Sequence, residues 1–200
     1  MVLTNTTLNK KIRPAGYRSD AKFRQIKGTC LLSKIRTRCR VRNQNPRMTV
    51  CITMYNEDEK ELKQTLEGVL HNYNCLKLDP TTNFSKDDFT IVLVCDGYDK
   101  ITESFKEFAR ARHFLDEQSL VDRGFMFKDR DGKFRMKPIR DCFDDDVAED
   151  DIPQNMCHVF QVSTWDFGMD SDILKARRIN FMFAIKHRND GKINSHKWFF

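Results

Sequence analysis

Two hundred residues with 40% hydrophobic content and 16 Phe are enough for one α/β domain with a real core, and the composition is that of a globular chain. The net charge of +6 hides an asymmetry, because residues 1–48 hold 13 Lys and Arg against Asp20 alone, while 22 basic residues face 28 acidic ones in the remainder. Seven cysteines without a C-x-x-C pair argue against a zinc cluster or a disulfide scaffold, and no apolar run approaches the ~18 to 20 residues of a membrane span.

In chain order, residues 1–47 form a basic arm and lead-in. Residues 1–25 are polar, contain Pro14-Ala15-Gly16 and are expected to pack poorly, and no secretory signal opens them. The arm lacks the interleaved aromatic residues of an RNA-binding platform, so a solvated or membrane-apposed arm is expected and nucleic acid is not a partner. Gly28 to Arg42 reads as a short strand or a surface segment anchored by Cys30, Leu31, Leu32 and Ile35.

Met48 to Asp58, MTVCITMYNED, passes from a buried strand through a polar turn into a helix within eleven residues. Val50, Ile52 and Met54 predict a strand covered on both faces. Leu62, Leu66, Val69, Leu70 and Tyr73 recur at helical spacing, and Asn56 with Glu59 three residues later reads as a capping box. Thr53 to Glu57 should then lie at the carboxyl end of a strand in an open α/β sheet, where such sheets bind ligands; an ordinary strand-to-helix turn is the plainer alternative.

Cys75 to Asp88 reads as a surface loop, and Phe89 to Cys95 as a central strand that ends in Asp96-Gly97. Asp96 either lines the same crevice as Tyr55 to Glu57 or caps the next helix, Ile101 to Phe114. From Ser119 to Phe143 the pattern around Asp131-Gly132 predicts an inserted hairpin, and Asp144 to Asp151 a solvated acidic loop rather than a metal site. Cys157 to Trp165 returns to strand pattern, and Ile179 to Ile185 is the last strand. His187 and His196 have no carboxylate or cysteine at ligand spacing, so no metal site is expected in the chain. The cysteines, with Cys51 and Cys95 inside strands, read as reduced core residues. No nucleophile elbow, P-loop or G-x-G-x-x-G is present.

Two segments go further than general physics: Thr53-Met54-Tyr55-Asn56-Glu57 and Lys192-Ile193-Asn194-Ser195-His196-Lys197-Trp198-Phe199. With Cys95-Asp96-Gly97 between them, they resemble the ordered motifs T-M-Y-N-E, S-D-G and K-I-N-S-H-R-W-F-F of the chitin synthases, processive family-2 glycosyltransferases. Cys157 to Trp165 also resembles the strand that precedes the last one in that family. The resemblance covers roughly residues 17 to 200. Gly191 stands where the family has lysine, Lys197 where it has arginine, and Tyr98 where it often has arginine.

The resemblance implies an α/β fold of the GT-A nucleotide-diphospho-sugar transferase type, incomplete here, with a mostly parallel central sheet and an inserted β-hairpin. Residues 48–200 would be the amino-terminal part of the catalytic domain, with the insertion at about 115–153. Its donor would be UDP-N-acetylglucosamine and its acceptor a growing β-1,4 chitin chain. Thr53, Tyr55 and Glu57 match family positions around the uridine, Asp96 with Gly97 a position at the base or ribose, and Lys192 a lysine near the diphosphate; Lys186 is a second cation for that duty. The full-length enzyme is expected to use a divalent cation, Mg or Mn, on ligands that lie beyond Phe200, with the general base and the membrane helices. The chain alone is thus expected to be inactive and to leave an unpaired apolar edge beside Phe89 to Cys95 or Ile179 to Ile185. The resemblance also implies a plasma-membrane location facing the cytoplasm for the whole protein, with homo-oligomerisation open. A non-catalytic nucleotide-sugar-binding or regulatory module, or another processive β-glycan synthase, is the alternative.

Overall fold

The computed structural model of the chain describes residues 2–4, 46–162 and 179–191. Five strands, β1 (Val2–Thr4), β2 (Met48–Met54), β3 (Phe89–Cys95), β6 (Met156–Val162) and β7 (Asn180–Lys186), form one sheet in the order β1-β6-β7-β3-β2. β2, β3 and β7 run parallel, β6 runs antiparallel to β7, and β1 antiparallel to β6. The parallel sheet expected from the sequence is therefore its β2-β3-β7 half, and a separate hairpin of β4 (Met126–Lys128) and β5 (Phe134–Met136) lies where Asp131-Gly132 predicts one.

Helices α1 (Glu59–Leu78) and α2 (Glu103–Ala111) contribute to the larger core. Leu62, Leu66, Leu70 and Tyr73 of α1 are buried with Ile91 and Leu93 of β3 and with Phe181, Phe183 and Ile185 of β7. Phe114 stands edge-on to Phe181 and Phe183 at ring-centroid distances of 5.4 and 5.5 Å, within the favourable range for aromatic pairs. A smaller cluster on the opposite face comprises Val92, Val94, Cys157, Val159, Met182 and Ala184. Every side chain of β3 is buried, as its uninterrupted apolar run requires.

Several expectations are corrected. β2 is not covered on both faces: Ile52 and Met54 are buried in the larger core, whereas Thr49 and Thr53 on the other face, and Met48 at the start of the strand, are exposed. The N-cap of α1 is Asp58, not Asn56; its carboxylate accepts from the backbone N–H of Lys60 and Glu61, and Glu61 rather than Glu59 closes the box on Asp58 N–H. Cys75 to Leu78 is the last turn of α1, so the loop begins at Asp79. Thr102, not Asp96, caps α2. The helical pattern of 101–114 is broken at His113, which has φ +58°, and α3 (Glu117–Asp122) comes after it as a separate short helix. The last strand is shifted by one residue and ends on Lys186.

Neither β3 nor β7 is left with an open edge, since each has a neighbour on both sides, and Val2–Thr4 of the basic arm pairs with β6 as a strand. Residues 5–45, the carboxyl end of the Cys157 to Trp165 segment, Lys192 and the rest of the KINSHKWFF motif lie outside the described residues. Among the described residues no helix is long and apolar enough to cross a membrane.

Candidate functional site

Parallel pairing sets the carboxyl ends of β2, β3 and β7 side by side, with Met54 opposite Cys95 and Cys95 opposite Ile185. Each of these strand ends is polar. Met54 leads to Tyr55 and Glu57, Cys95 to Asp96 and Gly97, and β7 ends on Lys186. The Asp96 backbone N–H donates to Met54 O at 2.8 Å, which extends the β2–β3 ladder by one bond and ties the two tips together.

The β2 tip is the open one. Tyr55 is 41% exposed, while Glu57 is half-buried and accepts the Tyr55 backbone N–H on Oε2 at 2.5 Å. Burial, and secondarily the Glu57 charge, hold the Cys95 thiol well above its ordinary range. Thr53 is exposed on the face of Cys51 and Val94, away from Ile52 and Met54.

The β3 and β7 tips are locked together. Lys186 Nζ donates to Asp96 Oδ1 at 2.5 Å and lies 3.4 Å from Gly191 O. Gly97 has φ +99°, and its α-carbon lies hard against the chain after β7. Asn155, fully buried, clamps that chain from one side: Nδ2 donates to Arg188 O at 2.9 Å and Oδ1 accepts from Arg188 N at 3.3 Å. The sequence-derived residues thus divide into a reachable group, Thr53, Tyr55 and Glu57, and an enclosed group, Asp96, Gly97 and Lys186. Lys192 is not among the described residues.

Sequence reasoning missed two buried polar networks beside these tips. His158 on β6 and His187 just after β7 are both buried, with His158 Nε2 and His187 Nδ1 3.0 Å apart. His187 Nε2 lies 2.5 Å from the Lys137 carbonyl, which only accepts, so that nitrogen carries the proton. His187 Nδ1 is then the acceptor, His158 Nε2 the donor, and His158 Nδ1 a bare lone pair with no partner among the described residues. Burial, above all, lowers the pKa of both imidazoles. Strand alternation puts His158 on a buried face, but only the β6–β7 register brings it against the end of β7.

In the second network, the Tyr98 hydroxyl donates to Glu117 Oε1, and Arg110 binds the same carboxylate through Nε at 2.6 Å and Nη2 at 3.0 Å. Burial and the Glu117 carboxylate push the Tyr98 phenol up. Lys106 Nζ lies 4.2 Å from the Tyr98 ring centroid. Tyr98, standing where the resemblance often has arginine, is therefore a buried structural side chain that fixes the turn after Asp96-Gly97. The acidic loop at 144–151 is largely exposed, and among the described residues no three His, Cys, Asp or Glu side chains gather as a metal set.

Comparison with known proteins points one way. Residues 48–121 match the chitin synthase-like glycosyltransferase domain, so the matched segment opens at β2 and includes both Tyr55 to Glu57 and Asp96-Gly97. The chain is 26% identical to chitin synthase 3 of Verticillium dahliae over 176 residues, 83% of this chain and 17% of that protein. It is 27% identical to chitin synthase 1 of Phytophthora sojae, over 82% of this chain and 16% of that one, and 25% identical to chitin synthase 1 of Fusarium oxysporum f. sp. lycopersici, over 83% and 16%. The chain spans about one sixth of the length of these relatives. The chain is therefore similar to the chitin synthase-like glycosyltransferase domain at residues 48–121, and over most of its length to one part of these chitin synthases.

Proposed function

We propose that this chain is the donor-nucleotide part of a chitin synthase, whose full-length form transfers N-acetylglucosamine from UDP-N-acetylglucosamine to a growing β-1,4 chitin chain, and that its sheet is an incomplete GT-A framework. The observation that carries the reading is the meeting of Tyr55, Glu57, Asp96 and Gly97 at the carboxyl ends of two adjacent parallel strands, inside the segment that matches the family. Open α/β sheets bind nucleotides at that edge. The half-exposed Tyr55 ring offers a stacking face, and the Glu57 and Asp96 carboxylates are acceptors for the uracil N–H or the ribose hydroxyls. Thr53 and Lys192 complete the donor site in this reading, with the Lys192 ammonium offsetting diphosphate charge.

The full-length enzyme would use a divalent cation, Mg or Mn. The described residues of this chain do not themselves assemble a ligand set for one. Attachment to the plasma membrane with this domain on its cytoplasmic side, and self-association, belong to the same proposal for the whole protein.

The test is calorimetric titration of the folded chain with uridine diphosphate and, separately, adenosine diphosphate. Uridine-selective binding that Glu57→Ala weakens supports the proposal. A folded chain that binds neither nucleotide, or both equally, overturns it.

A further inference from the structure

Among the described residues, Lys186 is the cation held against Asp96, and its enclosure bears on what it does. Its side chain is fully buried, whereas the Asp96 side chain keeps 12% of its surface. A ligand arriving at the strand tips can therefore touch the carboxylate but not the ammonium. β7 delivers Lys186 on the same side of the sheet as Ala184, directly opposite Cys157 of β6, and the Asp96 carboxylate and Gly191 carbonyl lie within reach of Nζ.

We infer that Lys186 is a positioning residue for Asp96 and not a phosphate ligand: it holds that carboxylate in place and aimed, so that a nucleoside finds a fixed acceptor at the tip of β3. The inference rests on the donor-site reading above and assigns Lys186 a different duty within it. The physical reason is asymmetric solvation. The Asp96 carboxylate, still open to a ligand on one side, is fixed on the other by a partner at 2.5 Å, and removing that partner takes away the contact that aims it. An ammonium with no exposed surface would, by contrast, have to break its ion pair before it could meet a diphosphate, stranding a buried charge.

The two duties separate on a ligand without phosphates. Uridine and uridine diphosphate are titrated by NMR and calorimetry into the wild-type chain and Lys186→Met. If Lys186 positions Asp96, both ligands weaken by about the same factor, tenfold or more, because a truncated partner leaves a buried charge unpaired. If uridine binding is unchanged while uridine diphosphate weakens, Lys186 is a phosphate ligand and the inference fails.

Lys186→Met can fail to fold, so the cycle is closed with Asp96→Asn and Asp96→Asn/Lys186→Met, the latter burying no charge from the pair. Equal affinities of these two for uridine diphosphate are expected, since Lys186 has nothing left to position; weaker binding by the double variant alone overturns the inference. A wild-type chain without uridine selectivity would instead sink the donor-site reading, and this inference with it.

Discussion

Gly97 and Asn189, 92 positions apart in the sequence, touch backbone to backbone: a Cβ built on Gly97 would stand 2.4 Å from Asn189 N and 2.9 Å from Arg188 C. With φ at +99° the position is strained for any L side chain as well, so glycine is required twice over. Gly97→Ala should cost about 2 to 4 kcal/mol in urea unfolding, since neither backbone can yield as a flexible side chain could. Gly68, inside α1 with nothing within 4 Å of its added Cβ, should respond oppositely, gaining about 0.5 to 1 kcal/mol as Ala.

Asp58 rather than Asn56 starts α1. Asp58→Ala should lower stability by about 1 kcal/mol, because the backbone donors of Lys60 and Glu61 lose their acceptor, while the bond from the backbone N–H of residue 58 to Glu61 can remain. Asn56→Ala, with an exposed side chain ahead of the cap, should change the unfolding free energy by less than about 0.5 kcal/mol.

The His158–His187 pair makes stability depend on pH with a defined sign. Burial lowers both folded pKa values below 6.5, so the unfolded chain binds more protons as pH falls through about 6.5. The contribution is fully present above that pH and is lost on further acidification. The charged neighbours that enter the balance are Arg123, Asp99, Arg188 and the terminal amine. Urea midpoints should fall between pH 8 and pH 5.5, and His158→Asn, which keeps a donor for His187, should flatten the slope. Nitrogen NMR at pH 7 should find the proton on Nε2 of both rings.

Cysteine reactivity should follow burial. Burial pushes the Cys51 thiol up to about 11 and, as the main cause, Cys142 up to about 12, whereas Cys75 is exposed on α1. Cys75 therefore departs from the uniform core role that the sequence implies. Alkylation of the folded chain at pH 7.5, read by peptide mass, should modify Cys75 before any other described cysteine, because the thiolate is the reactive form. Early labelling of Cys95 would contradict the buried β3.

Tyr98→Phe removes the hydroxyl that donates to the buried Glu117 carboxylate while Arg110 still binds it. A loss of about 1.5 to 3 kcal/mol is expected in urea unfolding, the range for a hydrogen bond to a charged group. Tyr98→Arg should be worse, since it places a second cation where Lys106 already lies against the ring.

Periodicity alone located the main elements. The apolar run of Phe89 to Cys95, the helical recurrence from Leu62 to Tyr73, and the Asp131-Gly132 turn each carry a local signal that outweighs anything around them, and each element is present. The ordered T-M-Y-N-E and D-G motifs pointed to the chitin synthase family, and the matched domain spans both. Local signals failed where two choices were nearly equal: Asn56 and Asp58 are both good caps, and Asp96 and Thr102 both precede α2.

Tertiary structure decided the rest, because register and long-range charge pairing leave no mark in neighbouring residues. Lys186, at the end of an apolar strand, reads as a second cation for a diphosphate until β7 is set beside β3, where it is the buried partner of Asp96. His158 and His187 lie 29 residues apart and meet only through the antiparallel β6–β7 pairing. The sequence by itself determined which segments are strands and helices and which motif residues stand at strand ends, since those depend on side-chain spacing along one segment. Only the sheet order determined which strand ends are neighbours, and hence which of those residues are reachable and which are enclosed, because burial is a property of what packs against a group and not of the group itself.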